Sequence, residues 1–283
     1  VENRAMYRKD GHQSMKPVGE TEFFDGVAAQ AASNANSATQ VAAGIVGHAD
    51  LSLGEAAAQV LEAHLAASPS RFRGIRHSTT WNQSEAIRSD APPGLLGDSA
   101  FRRGFGCLQQ YGLSFDAWLY HPQIPELVEL ARAFPTVTII LDHIGGPLGV
   151  GPYKGKRDEV FQTWRKGIAD LSTCPNMTMK LGGFGSTRSG YDWHERAVQP
   201  ASAELASAMT PYFDFCIEKF GVHRCMFESN FPVDKASYSY VAIWNAFKRI
   251  SQSCSAAERQ ALFHDTAARV YKIRTAEERQ QSG

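Results

Sequence analysis

The sequence contains no Cys-x-x-Cys, no GxGxxG nucleotide turn, no excess of either charge and no long apolar run. Each absence removes a class of protein. The five cysteines (Cys107, Cys174, Cys216, Cys225 and Cys254) are odd in number and widely spaced. That argues against a disulfide scaffold or a zinc ribbon, and for a reducing compartment in which the thiols are small buried hydrophobes. Lys+Arg and Asp+Glu number 29 each, so the formal net charge is zero. No basic footprint for nucleic acid and no acidic tail exists. The longest apolar run, residues 41–47, is about a third of a membrane-spanning helix. No signal peptide is visible. The expectation is a cytoplasmic protein with a small-molecule substrate and neither a membrane nor a nucleic-acid partner.

What is present is an ordinary globular composition over 283 residues, 43% hydrophobic, 11% aromatic and 20% charged. A chain of this length buries about three quarters of its unfolded surface. Along it, short β-rich runs alternate with helix-patterned stretches. Strands are predicted at 41–47 (VAAGIVG), 71–77 (RFRGIRH), 113–120 (LSFDAWLY), 136–142 (TVTIILD), 177–181 (MTMKL) and 224–228 (RCMFE). Helices are predicted at 53–67, 101–111, 122–134, 158–171, 201–220, 238–250 and 256–272. The opening VENRAM reads as the tail of a further strand. Near-continuous apolar strands, each followed by a helix, form a parallel sheet covered by helices. Without a dinucleotide turn, the α/β class narrows to a TIM-type (β/α) barrel, a single domain over residues 1–283.

In such a barrel the chemistry stands at the C-terminal ends of the strands. Those ends carry His48 and Asp50, Arg76 and His77, Tyr120 and His121, Asp142 and His143, Lys180, and Glu228 and Asn230. Four of nine histidines fall there. Imidazole ligates metals when neutral and moves protons near pH 7. Arg76 and Lys180 suit a carboxylate or an oxyanion, and Asp142 suits orientation of a ring or proton transfer. His143, in DHIGGP, is the strongest candidate. The remaining histidines read as surface or packing residues. Specificity belongs to the loops at 78–100, 148–157 and 182–195, the last a lid carrying Arg188, Tyr191, Trp193 and His194.

The segments FRGIRH, LYHPQIPELVELARAFP, TIILDHIGGP, MKLGGFG and RCMFESNFPVDK, in this order and spacing, resemble the amidohydrolase superfamily, specifically its amidohydrolase-2 branch of TIM-barrel metal-dependent hydrolases. The resemblance covers the chain from about residue 42 onward. It implies His121 and His143 as metal ligands, Arg76, His77 and Lys180 at substrate-binding strand ends, and Asn230 at the place of the family's water-activating aspartate. One divalent ion, Zn or Mn, is implied, although metal-independent members exist. Two departures stand out. Asn230 cannot take a proton from water, which leaves Asp234 and Glu228 as substitutes, with Glu228 doubtful because it alternates with Phe227. The family's opening His-x-His is absent, so the barrel is expected to lack strand 1 and most of strand 2. Open strand edges favour a homo-oligomer.

The functional expectation is a lactonase-like hydrolase that opens a cyclic ester of a small carboxylated or sugar-acid substrate. His143, Asp142, His77 and Asn230 are its catalytic candidates. Arg76, Tyr120, Lys180 and His48 are its substrate-binding candidates. A non-oxidative decarboxylase on the same fold and a non-catalytic ligand-binding barrel are the alternatives.

Overall fold

The computed structural model describes residues 1–34 and 39–273. Its centre is one parallel sheet of six strands in sequential order: β1 (Ile45–Gly47), β2 (Phe72–Ser78), β3 (Ser114–Trp118), β4 (Ile139–Leu141), β5 (Met177–Leu181) and β6 (Cys225–Phe227). All six predicted strands are present. Around them run α1 (Val18–Ala32), α2 (Ala57–Ala67), α3 (Ser99–Tyr111), α4 (Ile124–Ala133), α5 (Arg157–Leu171), α6 (Ser202–Phe220), α7 (Tyr240–Ile250), α8 (Ala256–Gln260) and α9 (Thr266–Val270). Helix α1 was not anticipated. Its apolar residues follow no clear 3.6-residue stripe, and only its opening turn and Ala28 are buried.

Local chemistry sets the helix ends. The Asp98 carboxylate accepts from Phe101 N–H at 2.8 Å and starts α3, and Gly112, left-handed at φ 61°, stops it. Ser255 and Glu258 form a reciprocal capping box at the start of α8.

Strand alternation divides the residues into two sets. Phe115, Ala117, Ile139, Leu141, Met177, Met179, Leu181 and Phe227 face the helices and join the main core. Val46, Ile140 and Met226 face the other way and pack with Val270 and Tyr271, which α9 and the residue after it bring beneath the sheet. Arg76, Asp116, Lys180 and Glu228 share this inner parity. The register pairs Arg76 with Asp116, and Lys180 with Met226.

Three strands, β3, β4 and β6, end earlier than expected at their functional ends. β4 stops at Leu141 because His143 and Ile144 turn left-handed (φ 53° and 49°), followed by Gly145 and Gly146 (φ 73° and 50°). A β-branched isoleucine in that region is strained, and Trp164, whose indole N–H donates to Ile144 O at 2.7 Å, braces it. The opening residues form no ladder. Glu2 N–H nonetheless donates to Val46 O at 2.7 Å, so the chain start lies beside β1.

Candidate active site

The site is built from the ends of β4, β5 and β6. After Leu141 the chain presents Asp142 inward and then His143. One carboxylate oxygen of Glu228 accepts from His143 N–H at 3.0 Å and also engages His143 Nδ1 in a short hydrogen bond. Phe227 stacks on Phe247 on the helix side, 4.5 Å between ring centroids. Alternation therefore turns Glu228 to the mouth, which corrects the doubt that sequence alone raised about it. Burial works against a charged His143, but Glu228 and then Asp142 outweigh it and raise its pKa above the ordinary histidine value.

Two glycines of MKLGG make this approach feasible. A methyl group on Gly182 would overlap Glu228, and one on Gly183 would overlap Cβ and the ring of His143. The β5 end is thus a floor on which the His143–Glu228 pair lies.

Beneath it lies a buried charge cluster. Lys180 Nζ sits 2.6 Å from Asp116 Oδ2 and 2.8 Å from Asp142 Oδ1. Tyr271 donates its hydroxyl proton to Asp116 Oδ2 at 2.8 Å. Arg76 lies 3.6 Å from Asp142 and 3.0 Å from Glu2. Asp142 is held at about 2: burial alone would raise its pKa, but Lys180, His143 and Arg76 overcome it. Asp116 moves the other way, raised chiefly by burial against the pull of Lys180. The pairing is one of charge more than of aligned hydrogen bonds, since neither oxygen of Asp142 nor Oδ1 of Asp116 receives one. Arg76 and Lys180 therefore stabilise Asp142 from below. Asp116 and Tyr271 were missed by sequence reasoning. Asp116, a lone charge inside the apolar run LSFDAWLY, was a readable signal, whereas Tyr271 lies 155 residues away from its partner.

Asn230, left-handed at φ 51°, donates from Nδ2 to Asp234 Oδ1 at 2.8 Å. Asp234 also accepts from Tyr238 O–H at 2.6 Å and from Gly185 N–H at 3.0 Å. It is fully buried, and burial raises its pKa to about 6 against those hydrogen bonds. So many donors make it an anchor for the loop after β6. Neither Asn230 nor Asp234 is left open as a strong base.

The other candidate histidines do not converge on His143. His77 has the outward parity of β2. Its Nδ1 accepts from Leu51 N–H at 3.3 Å, its ring lies 5.4 Å from Phe101, and burial lowers its pKa to about 4. His48 lies 5.2 Å from His77, with Nδ1 hydrogen-bonded to Arg76 O. His121, also lowered to about 4 by burial, accepts from Leu148 N–H and lines a groove with Tyr153, Glu126 and Lys156. His143 lines a different cavity with Trp118, Tyr120 and Arg188. Tyr120 does line the site, but its hydroxyl is committed to Arg88 O at 2.7 Å.

The pairing of His121 with His143 as metal ligands is therefore not assembled. Among the described residues no three His, Cys, Asp or Glu side chains come close enough to hold an ion. The donor set does not fit a resident divalent metal.

The 182–195 loop lies across the mouth. Gly149 N–H donates to Arg188 O at 2.8 Å, and Trp193 is buried with its ring stacked on Tyr191 at 4.3 Å. These contacts tie the loop down.

The C-terminal ends of the strands thus hold a histidine oriented by a carboxylate. Residues 3–273 match the amidohydrolase family model, and the chain belongs to that family. It is 37% identical over 270 residues to the uncharacterized protein y4mH of Sinorhizobium fredii, covering 95% of this chain and 80% of that one. It is 28% identical over 233 residues to an L-fucono-1,5-lactonase of Burkholderia multivorans, covering 82% of this chain and 72% of that one. The crystal structure of a zinc-bound amidohydrolase from Burkholderia multivorans superposes with a TM-score of 0.71 at 26% identity, covering 90% of this chain and 79% of that one. The strands and helices are thus those of an amidohydrolase barrel, and the protein is a hydrolase.

Proposed function

We propose that this protein opens the ring of a small lactone by attack of water. The observation that carries the reading is the His143–Glu228 pair, held on a glycine floor at the mouth of the barrel. Its kinship with a protein named as an L-fucono-1,5-lactonase supports the same class.

The chemistry follows from the geometry. Glu228 engages Nδ1, which leaves Nε2 as the working nitrogen of His143. Neutral His143 takes a proton from water as the water oxygen bonds to the acyl carbon. The acyl–oxygen bond of the ring then breaks, and the imidazolium returns the proton to the departing ring oxygen. The product is a hydroxy acid, which releases a proton at neutral pH. Glu228 stabilises the imidazolium in between, and ionised Asp142 adds to that stabilisation from the next residue. Asn230 supplies no proton transfer here. It secures Asp234 and the loop.

The test is a panel of carboxylated and sugar-derived lactones followed by proton release, with His143→Ala as the control. Turnover is expected to fall by about 10²–10⁴-fold in the variant. Unchanged turnover in His143→Ala removes the assignment. Release of bicarbonate from an aromatic acid without ring opening would select decarboxylation instead.

A further inference from the structure

Beside the His143 cavity runs a groove bordered by the segment after β2 and by the starts of α4 and α5. Val160 borders both, but the groove does not contain His143. Its volume is about 680 Å³, within the range of small-ligand sites. Several polar groups that line it are spent on the fold. Gln123 accepts from Trp81 N–H at 3.0 Å and donates to Thr79 O at 2.6 Å. Asn82 accepts from Ser84 N–H at 3.0 Å and donates to the Tyr153 hydroxyl at 3.2 Å. Two groups are not spent in this way. His121 is only 4% exposed. A backbone N–H donates only to a bare ring nitrogen, so the bond from Leu148 N–H to Nδ1 places the neutral ring's proton on Nε2. That Nε2–H meets no acceptor among the described residues. Glu126 Oε2 is buried and meets no donor. Burial and then Glu129 raise the Glu126 pKa, and no cation among the described residues draws it back.

Glu126 and Glu159 stand in the first turns of α4 and α5, where the helix dipole favours an acid. That accounts for the residue type. It does not account for a carboxylate oxygen buried without a donor, which costs stability until something supplies one. Among the described residues that line the groove, Lys156 is the one cation against these two carboxylates. Trp81 and Tyr153, both half-buried, add aromatic rings of the kind that attract a cation. We propose that this groove is a second ligand site, which binds a small organic ammonium ion at Glu126 and Glu159 and an oxygen of the same molecule at His121 Nε2–H. The ammonium supplies the donor that Glu126 Oε2 lacks, and the oxygen supplies the acceptor that His121 lacks. A bare metal ion suits the groove less well, since Nε2 carries a proton and no three ligating side chains converge. The ligand is neither the lactone nor its hydroxy-acid product, so the site stands whether or not a ring is opened at His143.

The experiment is an NMR titration of the full chain at pH 7 with ethanolamine, ethylamine and ethylene glycol, which carry both groups, the ammonium alone and the oxygens alone. A charged hydrogen bond is worth about 10–100-fold in affinity, and a neutral one about 2–10-fold. Ethanolamine is expected to bind more tightly than ethylene glycol by the first factor and more tightly than ethylamine by the second. Glu126→Gln keeps the shape and removes the charge, and is expected to bring ethanolamine to the level of ethylene glycol. His121→Phe is expected to bring ethanolamine to the level of ethylamine. Because His121 is buried and that variant could unfold, Glu126→Gln carries the test by itself. It is also expected to melt no lower than the wild-type protein at pH 8, since the lost carboxylate has no partner to lose. Ethylene glycol binding as tightly as ethanolamine would mark a polyol site and overturn the proposal. So would binding of Mg²⁺ or Ca²⁺ without binding of the amine, or an ethanolamine affinity unchanged in Glu126→Gln. A marked fall in the melting temperature of Glu126→Gln would show that the fold itself employs the carboxylate, and would overturn the proposal as well.

Discussion

A single carboxylate oxygen of Glu228 holds His143 twice, through the backbone N–H at 3.0 Å and through ring Nδ1. The double grip fixes both the left-handed backbone of His143 and the direction in which its second nitrogen points. It also makes the two residues one structural unit.

The first prediction concerns that unit. With His143 acting as a base, kcat/KM rises as the ring loses its proton. Its pKa is raised by Glu228, so the rising limb should lie above the ordinary histidine value. Glu228→Gln removes the charge that favours imidazolium. The limb should then move to lower pH, and the plateau rate should drop by about 10²-fold. A pH–rate profile checks both. A lower plateau without a shifted limb would mean that Glu228 serves only to support the loop.

Asn230 stands where its relatives' water-activating aspartate is expected, and the geometry predicts that restoring an acid harms this protein. Asn230→Asp would place a carboxylate against Asp234, which now accepts from Asn230 Nδ2 at 2.8 Å. Asp234 is already raised to about 6 from 3.8. Its contribution to stability is full below about 4 and is lost as pH rises through about 6. A second acid should deepen that loss, by about 1–3 kcal/mol at pH 8 and little at pH 5. Melting temperatures at the two pH values decide it. An equal loss at both would show that the pair does not titrate.

Lys180 neutralises two buried carboxylates at once. Lys180→Met should cost about 3–5 kcal/mol in urea unfolding, since it leaves uncompensated charge inside the sheet. Asp142 has a folded pKa of about 2, below its unfolded value of 3.8. Its stabilisation is complete above about 4 and is lost as pH falls through about 2. The variant should therefore flatten the acid-side loss of stability. A wild-type acid limb in the variant would show that Lys180 is not what depresses Asp142.

Gly183 tests the floor. Gly183→Ala drives a methyl group into His143 while leaving the sheet register alone. We expect a kcat loss of about 10²-fold, the cost of a displacement near 1 Å at a reacting group. The circular dichroism spectrum should stay that of the wild-type protein. Full activity in this variant would place the working group elsewhere.

Much of this was legible in the chain. The run TVTIILD is β-branched and apolar on both faces, which suits a strand covered on both sides, and the six strands follow from the alternation of such β-rich runs with helical patterns. His143 was legible because a polar pair closing an apolar strand before Gly-Gly-Pro is rare without a task. The strand end that carries Arg76 and His77 is shared by two faces. A one-residue offset sends Arg76 inward and His77 onto Phe101.

What the sequence determined by itself is local: periodicity, caps, the parity of each strand and the chemical character of its ends. What only the tertiary structure decided is which ends meet. Glu228 reaches His143 across 85 residues, and Tyr271 reaches Asp116 across 155. Packing then sets charge: Lys180, His143 and Arg76 hold Asp142 ionised against its burial, and burial raises Asp234, because desolvation and the nearest opposite charge are properties of the packed molecule and not of any one segment.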